Sequence, residues 1–165
     1  MNDQYTVLIQ SRMDSDNYAK LAALKNPKVM DFVGFFIDHC RPESVYVCTD
    51  SENDMRHVRK RALETREETP LAKAGQTIHW DSYGDQARDR QNTRILVPEE
   101  KLADMRALNA VGLEEGYREI LEISKGIMAG KEAIIQFLAE GPTESPFTMP
   151  CIQFTDSWYV AHSES

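Results

Sequence analysis

The run NPKVMDFVGFFIDHC at residues 26–40, followed after three residues by SVYVCT at 44–49, decides how the rest of the chain is read. Asn26 offers a side-chain oxygen to cap a helix, and Pro27 suits the first helical position, where no backbone N–H is needed. From there Val29, Phe32, Val33, Phe36, Ile37 and Cys40 recur three and four residues apart and make one apolar face. Arg41-Pro42 ends the pattern, because proline cannot donate the next helical bond. Ser44 to Thr49 is rich in β-branched and aromatic residues and reads as a buried strand. A helix handed directly to a buried strand points to an α/β layer structure.

Working towards the C-terminus, Asp50-Ser51 opens a second helix, about Ser51 to Glu64, with Asp54 completing a partial capping box. Its charge density requires one solvated face. Pro70 and Gly75 punctuate a loop, and Thr77 to Trp80 reads as a short strand. Asp81 to Arg94 is polar without a core pattern, hence a loop, closed by Ile95-Leu96-Val97-Pro98. A further helix starts between Gly112 and Glu115 and runs to about Met128, with Tyr117, Ile120, Leu121, Ser124 and Ile127 on one side. Gly130 follows as its stop. Glu132 to Ala139 reads as a strand, Gly141 to Pro146 as a turn, and Cys151 to Phe154 and Ser157 to Ala161 as two strand-like pieces. Towards the N-terminus, Tyr5 to Gln10 is a short apolar run that fits a strand or a helix start. The expected fold is a single α/β domain over residues 1–165, a mixed β-sheet flanked by helices. With Trp158 to Ala161 read as a central strand close to Ser165, that sheet is expected to be incomplete at the C-terminus.

The chain carries 27 acidic against 19 basic residues, a formal net charge of -8. Broad nucleic-acid binding, which requires a basic surface to displace counterions, is therefore not expected. A small anion remains compatible, because a local arginine pocket can oppose the overall field. Cys40, Cys48 and Cys151 show no CxxC spacing, so neither a disulfide framework nor a zinc site is indicated. Cys40 and Cys48 read as small core residues in a reducing cytoplasm. The start Met1-Asn2-Asp3-Gln4 lacks the basic and apolar regions of a signal peptide, and no apolar run reaches the roughly 20 residues of a membrane span.

Chemistry is concentrated in Tyr83 to Arg94, which holds Gly84, Arg88, Arg90 and Arg94. The planar guanidinium fork binds carboxylate or phosphate through two parallel hydrogen bonds, which lysine cannot copy. Taken alone, a short Arg/Asp run is more often a solvated, internally paired surface. The four histidines, His39, His57, His79 and His162, form no metal-binding spacing and read as surface or satisfied semi-buried groups. No phosphate-cradling glycine loop and no nucleophile elbow is present. Asp156 fits a bend, bonding local backbone groups or orienting a neighbouring loop.

Four stretches taken together resemble the amino-terminal domain of GTP-dependent phosphoenolpyruvate carboxykinase, in a variant closer to archaeal and bacterial members. They are Asn26 to Cys40; Pro42 to Tyr46 running into Asp50-Ser51-Glu52; Asp85-Gln86-Ala87-Arg88 with Asn92-Thr93-Arg94; and Gly130 to Tyr159. The last contains Gly141-Pro142-x-x-Ser145-Pro146 and Thr155-Asp156-Ser157-x-Tyr159-Val160. The resemblance covers about residues 26 to 161 and leaves Glu99 to Gly112 unmatched. It implies a parent enzyme of gluconeogenesis that converts oxaloacetate and GTP to phosphoenolpyruvate, CO2 and GDP with Mn2+ or Mg2+. It further implies that Arg88 binds the substrate carboxylate on a mobile loop, with Gly84, Arg90 and Arg94 as loop support. Arg90 stands where animal members carry an acidic residue. The nucleotide-binding and metal-binding residues belong to a C-terminal catalytic domain that this chain does not contain, so the chain alone is expected to be inactive. The alternative reading is a stand-alone, non-catalytic anion-binding or protein-interaction module of the same fold.

Overall fold

The computed structural model describes residues 3–80, 93–105 and 108–164. In chain order the helices and strands are α1 (Asp3–Arg12), α2 (Ser15–Ala23), α3 (Pro27–Cys40), β1 (Ser44–Val47), α4 (Glu52–Glu64), β2 (Thr69–Pro70) and β3 (Thr77–Ile78). They continue with β4 (Ile95–Val97), a 3-10 turn (Glu99–Lys101), β5 (Ala110–Gly112), α5 (Leu113–Ser124), β6 (Glu132–Glu140), β7 (Met149–Thr155) and α6 (Trp158–Ser163). The chain forms two compact units. One comprises the described residues up to His79 and from Gly126 onward; the other spans Trp80–Lys125.

The first unit is organised by a three-stranded sheet in the order β1-β6-β7. β1 runs parallel to β6, with Val45 opposite Ala133 and Val47 opposite Ile135. β7 returns antiparallel, with Ile152 opposite Phe137. Alternation along β6 sends Ala133 and Ile135 into one core with Ile9, Leu21, Val33, Ile37, Val45 and Val47. Ile134 enters a second core with Cys48, Val58, Ala62, Trp158 and Ala161. Because both faces are covered, β6 is an almost continuous apolar run rather than an alternating one. The mixed sheet flanked by helices is thus the expected architecture.

Helix α3 starts as its sequence requires: Asn26 Oδ1 accepts from the Lys28 N–H, with Pro27 behind it. It ends at Arg41, in the left-handed conformation (φ 56°), whose N–H reaches Ile37 O. Gly34 permits α1 to cross closely, since a Cβ there would lie 2.5 Å from the Tyr5 side chain. Residues 3–23, which the sequence pattern left open, form α1 and α2. Helix α2 closes the outer edge of β1: Asn17 Oδ1 accepts from the Val47 N–H at 2.8 Å, and Lys20 Nζ donates to Val47 O at 3.0 Å. Side chains thereby satisfy groups that would otherwise template further strands.

The end of the chain corrects the expectation drawn from its sequence. Trp158 to Ala161 is not a strand but the first part of α6. Ser157 accepts from the Val160 N–H and caps that helix. Trp158 and Ala161, three residues apart, are its buried positions, which β-propensity alone misreads.

In the second unit β4 pairs parallel with β5, placing Leu96 opposite Val111. α5 packs on this pair through Gly116, where a Cβ would lie 2.0 Å from Leu96 Cδ2. β5 was not anticipated in the stretch from Glu99 to Gly112. The helix ends at Ser124, short of the expected Met128, and the apolar side read from it is not its packed side: Tyr117 and Ile120 are exposed, and Gly116 is its buried residue.

Candidate functional site

Gly84, Arg88 and Arg90 lie outside the described residues. The flanks of their segment are described. On the C-terminal side, Arg94 Nη1 pairs with Glu119 Oε2 at 2.6 Å, with both side chains near half-exposed, so this is a surface ion pair of α5. On the N-terminal side stands His79, directly after β3. Its Nδ1 lies 2.6 Å from Glu67 O, and its ring stacks on Tyr159 with centroids 3.5 Å apart and an interplanar angle of 9°. A carbonyl oxygen only accepts, so Nδ1 carries the proton.

Glu67 and Glu68 organise the surroundings of His79. The Glu67 carboxylate accepts from Ser157 Oγ at 2.5 Å, the Tyr159 N–H at 3.0 Å and Thr65 Oγ1 at 2.9 Å. Burial pushes its pKa up, but these bonds to the charged form outweigh burial and hold it below the ordinary glutamate value. Glu68 is buried and pairs with His162 Nδ1; burial is again outweighed, here by Thr77 and His162, and the pKa is lowered. These contacts fasten the ribbon β2–β3 to α6.

A second carboxylate centre lies at the head of β1. Asp54, in the first turn of α4, is 5% exposed. Its Oδ1 accepts from Lys20 Nζ at 2.7 Å and from the Tyr46 hydroxyl at 2.6 Å; its Oδ2 accepts from the Thr49 N–H and Oγ1. Burial alone would raise its pKa, yet the bonds from Lys20, Thr49 and Tyr46 hold it well below the ordinary aspartate value. The Tyr46 phenol is driven far upward by burial and by Asp54. Beside this centre opens a cleft of about 510 Å³ with apolar walls that include Leu24, Met55, Phe137 and Leu138. The Cys48 thiol at its margin is pushed up to about 11 by burial and then by Asp54, so it stays protonated at neutral pH and is no nucleophile.

The histidines have packing roles. His39 stacks on Phe35, and His57 lies against Tyr46 and Trp158. Asp156 pairs with Lys131. Among the described residues no three His, Cys, Asp or Glu side chains converge as metal ligands. No helix among the described residues is long and apolar enough to cross a membrane, and all three cysteines are free thiols. Sequence reasoning picked out Asp54 as a cap but missed Lys20, Glu67 and Glu68, because no local pattern marks partners on distant elements.

Residues 31–165 match the family model described as phosphoenolpyruvate carboxykinase N-terminal domain. The chain is 47% identical over 94% of its length to the phosphoenolpyruvate carboxykinase (GTP) of Pyrococcus furiosus, covering 25% of that protein. It is 49% identical to the protein of the same name from Pyrococcus abyssi, over 92% of this chain and 24% of the relative. With that of Saccharolobus solfataricus the identity is 39% over 91% of the chain and 24% of the relative. The chain thus spans about a quarter of the length of these curated relatives.

Proposed function

The chain belongs to the phosphoenolpyruvate carboxykinase N-terminal domain family, and on that premise we propose that it is the substrate-binding front part of a GTP-dependent phosphoenolpyruvate carboxykinase. The observation that carries this reading is the 47% identity maintained over 94% of the chain. The parent reaction takes oxaloacetate and GTP to phosphoenolpyruvate, CO2 and GDP, in the cytoplasm. GTP and a divalent metal, Mn2+ or Mg2+, supply the phosphoryl group and the charge stabilisation when bound to the C-terminal catalytic domain.

This chain contributes binding and orientation. Arg88 holds the carboxylate that oxaloacetate and phosphoenolpyruvate share, in the bidentate geometry of a guanidinium. Loss of CO2 leaves an enolate, and a clamped carboxylate keeps its oxygen in line for phosphoryl transfer. Gly84 frees the backbone of the loop, while Arg90 and Arg94 support it. The Arg94–Glu119 pair supports this division of labour, since a guanidinium already bonded to a carboxylate is a poorer substrate ligand.

The test is an assay of phosphoenolpyruvate formation from oxaloacetate and GTP. The full-length polypeptide carrying this chain is expected to turn over, and residues 1–165 alone are expected not to. A full-length polypeptide that consumes neither substrate, together with weak and equal binding of oxalate and sulfate by residues 1–165, would overturn the reading in favour of a stand-alone module.

A further inference from the structure

The cleft beside Asp54 lies wholly within the first unit and draws apolar walls from three elements: Leu24 at the end of α2, Met55 in α4, and Phe137 and Leu138 in β6. Leu24 and Met55 are still 44% and 40% exposed, so two of these walls present apolar surface to water. The polar groups around the cleft are engaged with one another. Lys20 Nζ donates to Asp54 and to Val47 O, Thr49 Oγ1 donates to Asp54, and Gln136 Nε2 donates to Ala161 O. A small-molecule site of this size selects its ligand through polar groups that converge on it. Here those groups converge on each other, and the cleft is suited to apolar side chains instead. Two exposed acidic residues, Asp50 and Glu164, also line it.

The course of the chain supplies an occupant. α6 ends at Ser163, and its C-cap residue, Glu164, lines the cleft. Gln136, another lining residue, bonds Ala161 O in the last turn of α6 at 2.9 Å and so fixes that end of the helix against the wall. Any polypeptide that follows is delivered at the cleft. A hollow of about 510 Å³ is roughly 8 Å across, and an extended chain advances about 3.3 Å per residue, so about five residues are enough to cross it. A segment tethered at the wall competes at an effective concentration of the order of millimolar, which favours it over a second copy or a separate partner.

We propose that in the full-length polypeptide the segment following Ser165 lies in this cleft, with apolar side chains against Leu24, Met55, Phe137 and Leu138 and a basic side chain facing Asp50 and Glu164. The inference rests on the reading of this chain as the front part of a carboxykinase, since it covers 25% of the Pyrococcus furiosus relative. The cleft is then a seam within one polypeptide. It joins α2, α4 and β6 to what comes after α6, and burial of the exposed parts of Leu24 and Met55 stabilises that junction.

Site-specific photo-crosslinking of the full-length polypeptide tests this. A benzophenone amino acid replaces Met55 in one variant, Leu24 in a second, and Val7, exposed on α1 and outside the cleft, in a third. After illumination the crosslinked peptides are mapped by mass spectrometry. The expected main product at positions 24 and 55 joins each to the same peptide, within about 15 residues after Ser165 of the same polypeptide. That product is expected to be absent at position 7. A covalent dimer would overturn the inference in favour of a second copy, and a small-molecule adduct would overturn it in favour of a ligand site. A crosslink to a remote part of the polypeptide, or reaction with solvent alone, would also overturn it. If the probe at Met55 prevents folding, the one at Leu24 carries the test. Turnover of the wild-type full-length polypeptide, assayed in parallel, separates this inference from the reading beneath it. Turnover without the expected crosslink rejects the seam alone, whereas the crosslink without turnover keeps the seam and rejects the carboxykinase reading.

Discussion

Asp54 and Glu67 are both carboxylates held below their ordinary pKa by converging donors, yet they connect the chain over very different spans. Asp54 gathers Lys20, Tyr46 and Thr49, all within 34 residues, and ties α2, β1 and α4 into one corner of the sheet. Glu67 reaches Ser157 and Tyr159, 90 and 92 residues away, and ties a two-stranded ribbon to the last helix. The first centre has a buried carboxylate at its middle and a cleft beside it. The second is part-buried and holds the ends of the last helix and the ribbon together. One carboxylate closes a corner within the first part of the chain, whereas the other joins segments far apart in sequence.

That contrast predicts unequal consequences. Asp54→Ala should cost the most, about 3 kcal/mol, because it strands a half-buried tyrosine hydroxyl and a lysine ammonium whose carboxylate partner has gone. Denaturant midpoints at constant m-value would measure it. Glu67→Ala should cost less, about 2 kcal/mol, and should loosen α6 and the ribbon while leaving β1 protected in amide exchange. Equal losses of protection throughout the unit would break the comparison.

Acid should act on both centres in the same direction. The folded-state pKa values of Asp54, Glu67 and Glu68 all lie below the ordinary aspartate and glutamate values. Each therefore contributes stability that is fully present above the unfolded-state pKa and lost as pH falls through the folded-state value. Stability should be flat from neutrality to about pH 5 and fall steadily below about pH 4. Asp54→Asn and Glu67→Gln should each make that acid limb shallower. An unchanged limb in both would show that other carboxylates dominate. The smallest effect belongs to Arg94→Ala, where the exposed pair with Glu119 should contribute less than about 0.5 kcal/mol and weaken further with salt.

What could be read in advance followed the range of the interaction. Asn26-Pro27, the apolar spacing to Cys40, and the runs at 44–49 and 132–139 are local statements, and the structure contains the helix and both strands, at Ser44–Val47 and Glu132–Glu140. Asp54 was legible as a cap because Ser51 stands three residues before it. Trp158 to Ala161 was misread because four residues of strand-forming type do not reveal their period, and Ser157 as a helix cap decided the matter. Helices α1 and α2 gave no clear stripe: Val7 is exposed beside buried Ile9, and α2 serves the edge of β1 with polar side chains, Asn17 and Lys20. The arginine segment stood out by composition, and only resemblance gave it a substrate. Glu67 and His79 carried no sequence signal, since a lone glutamate and a lone histidine acquire roles only when a residue some 80 or 90 positions away folds onto them.

The proposal stands or falls on Arg88 as the group that holds the substrate carboxylate. The most direct measurement is the KM for phosphoenolpyruvate of Arg88→Ala in the full-length polypeptide, taken beside its thermal midpoint. A rise in KM of roughly 10- to 100-fold, the size of lost charge-assisted hydrogen bonds, with a midpoint within a few degrees of wild type, is the predicted result. An unchanged KM, or a large fall in the midpoint marking a structural salt bridge, would contradict it.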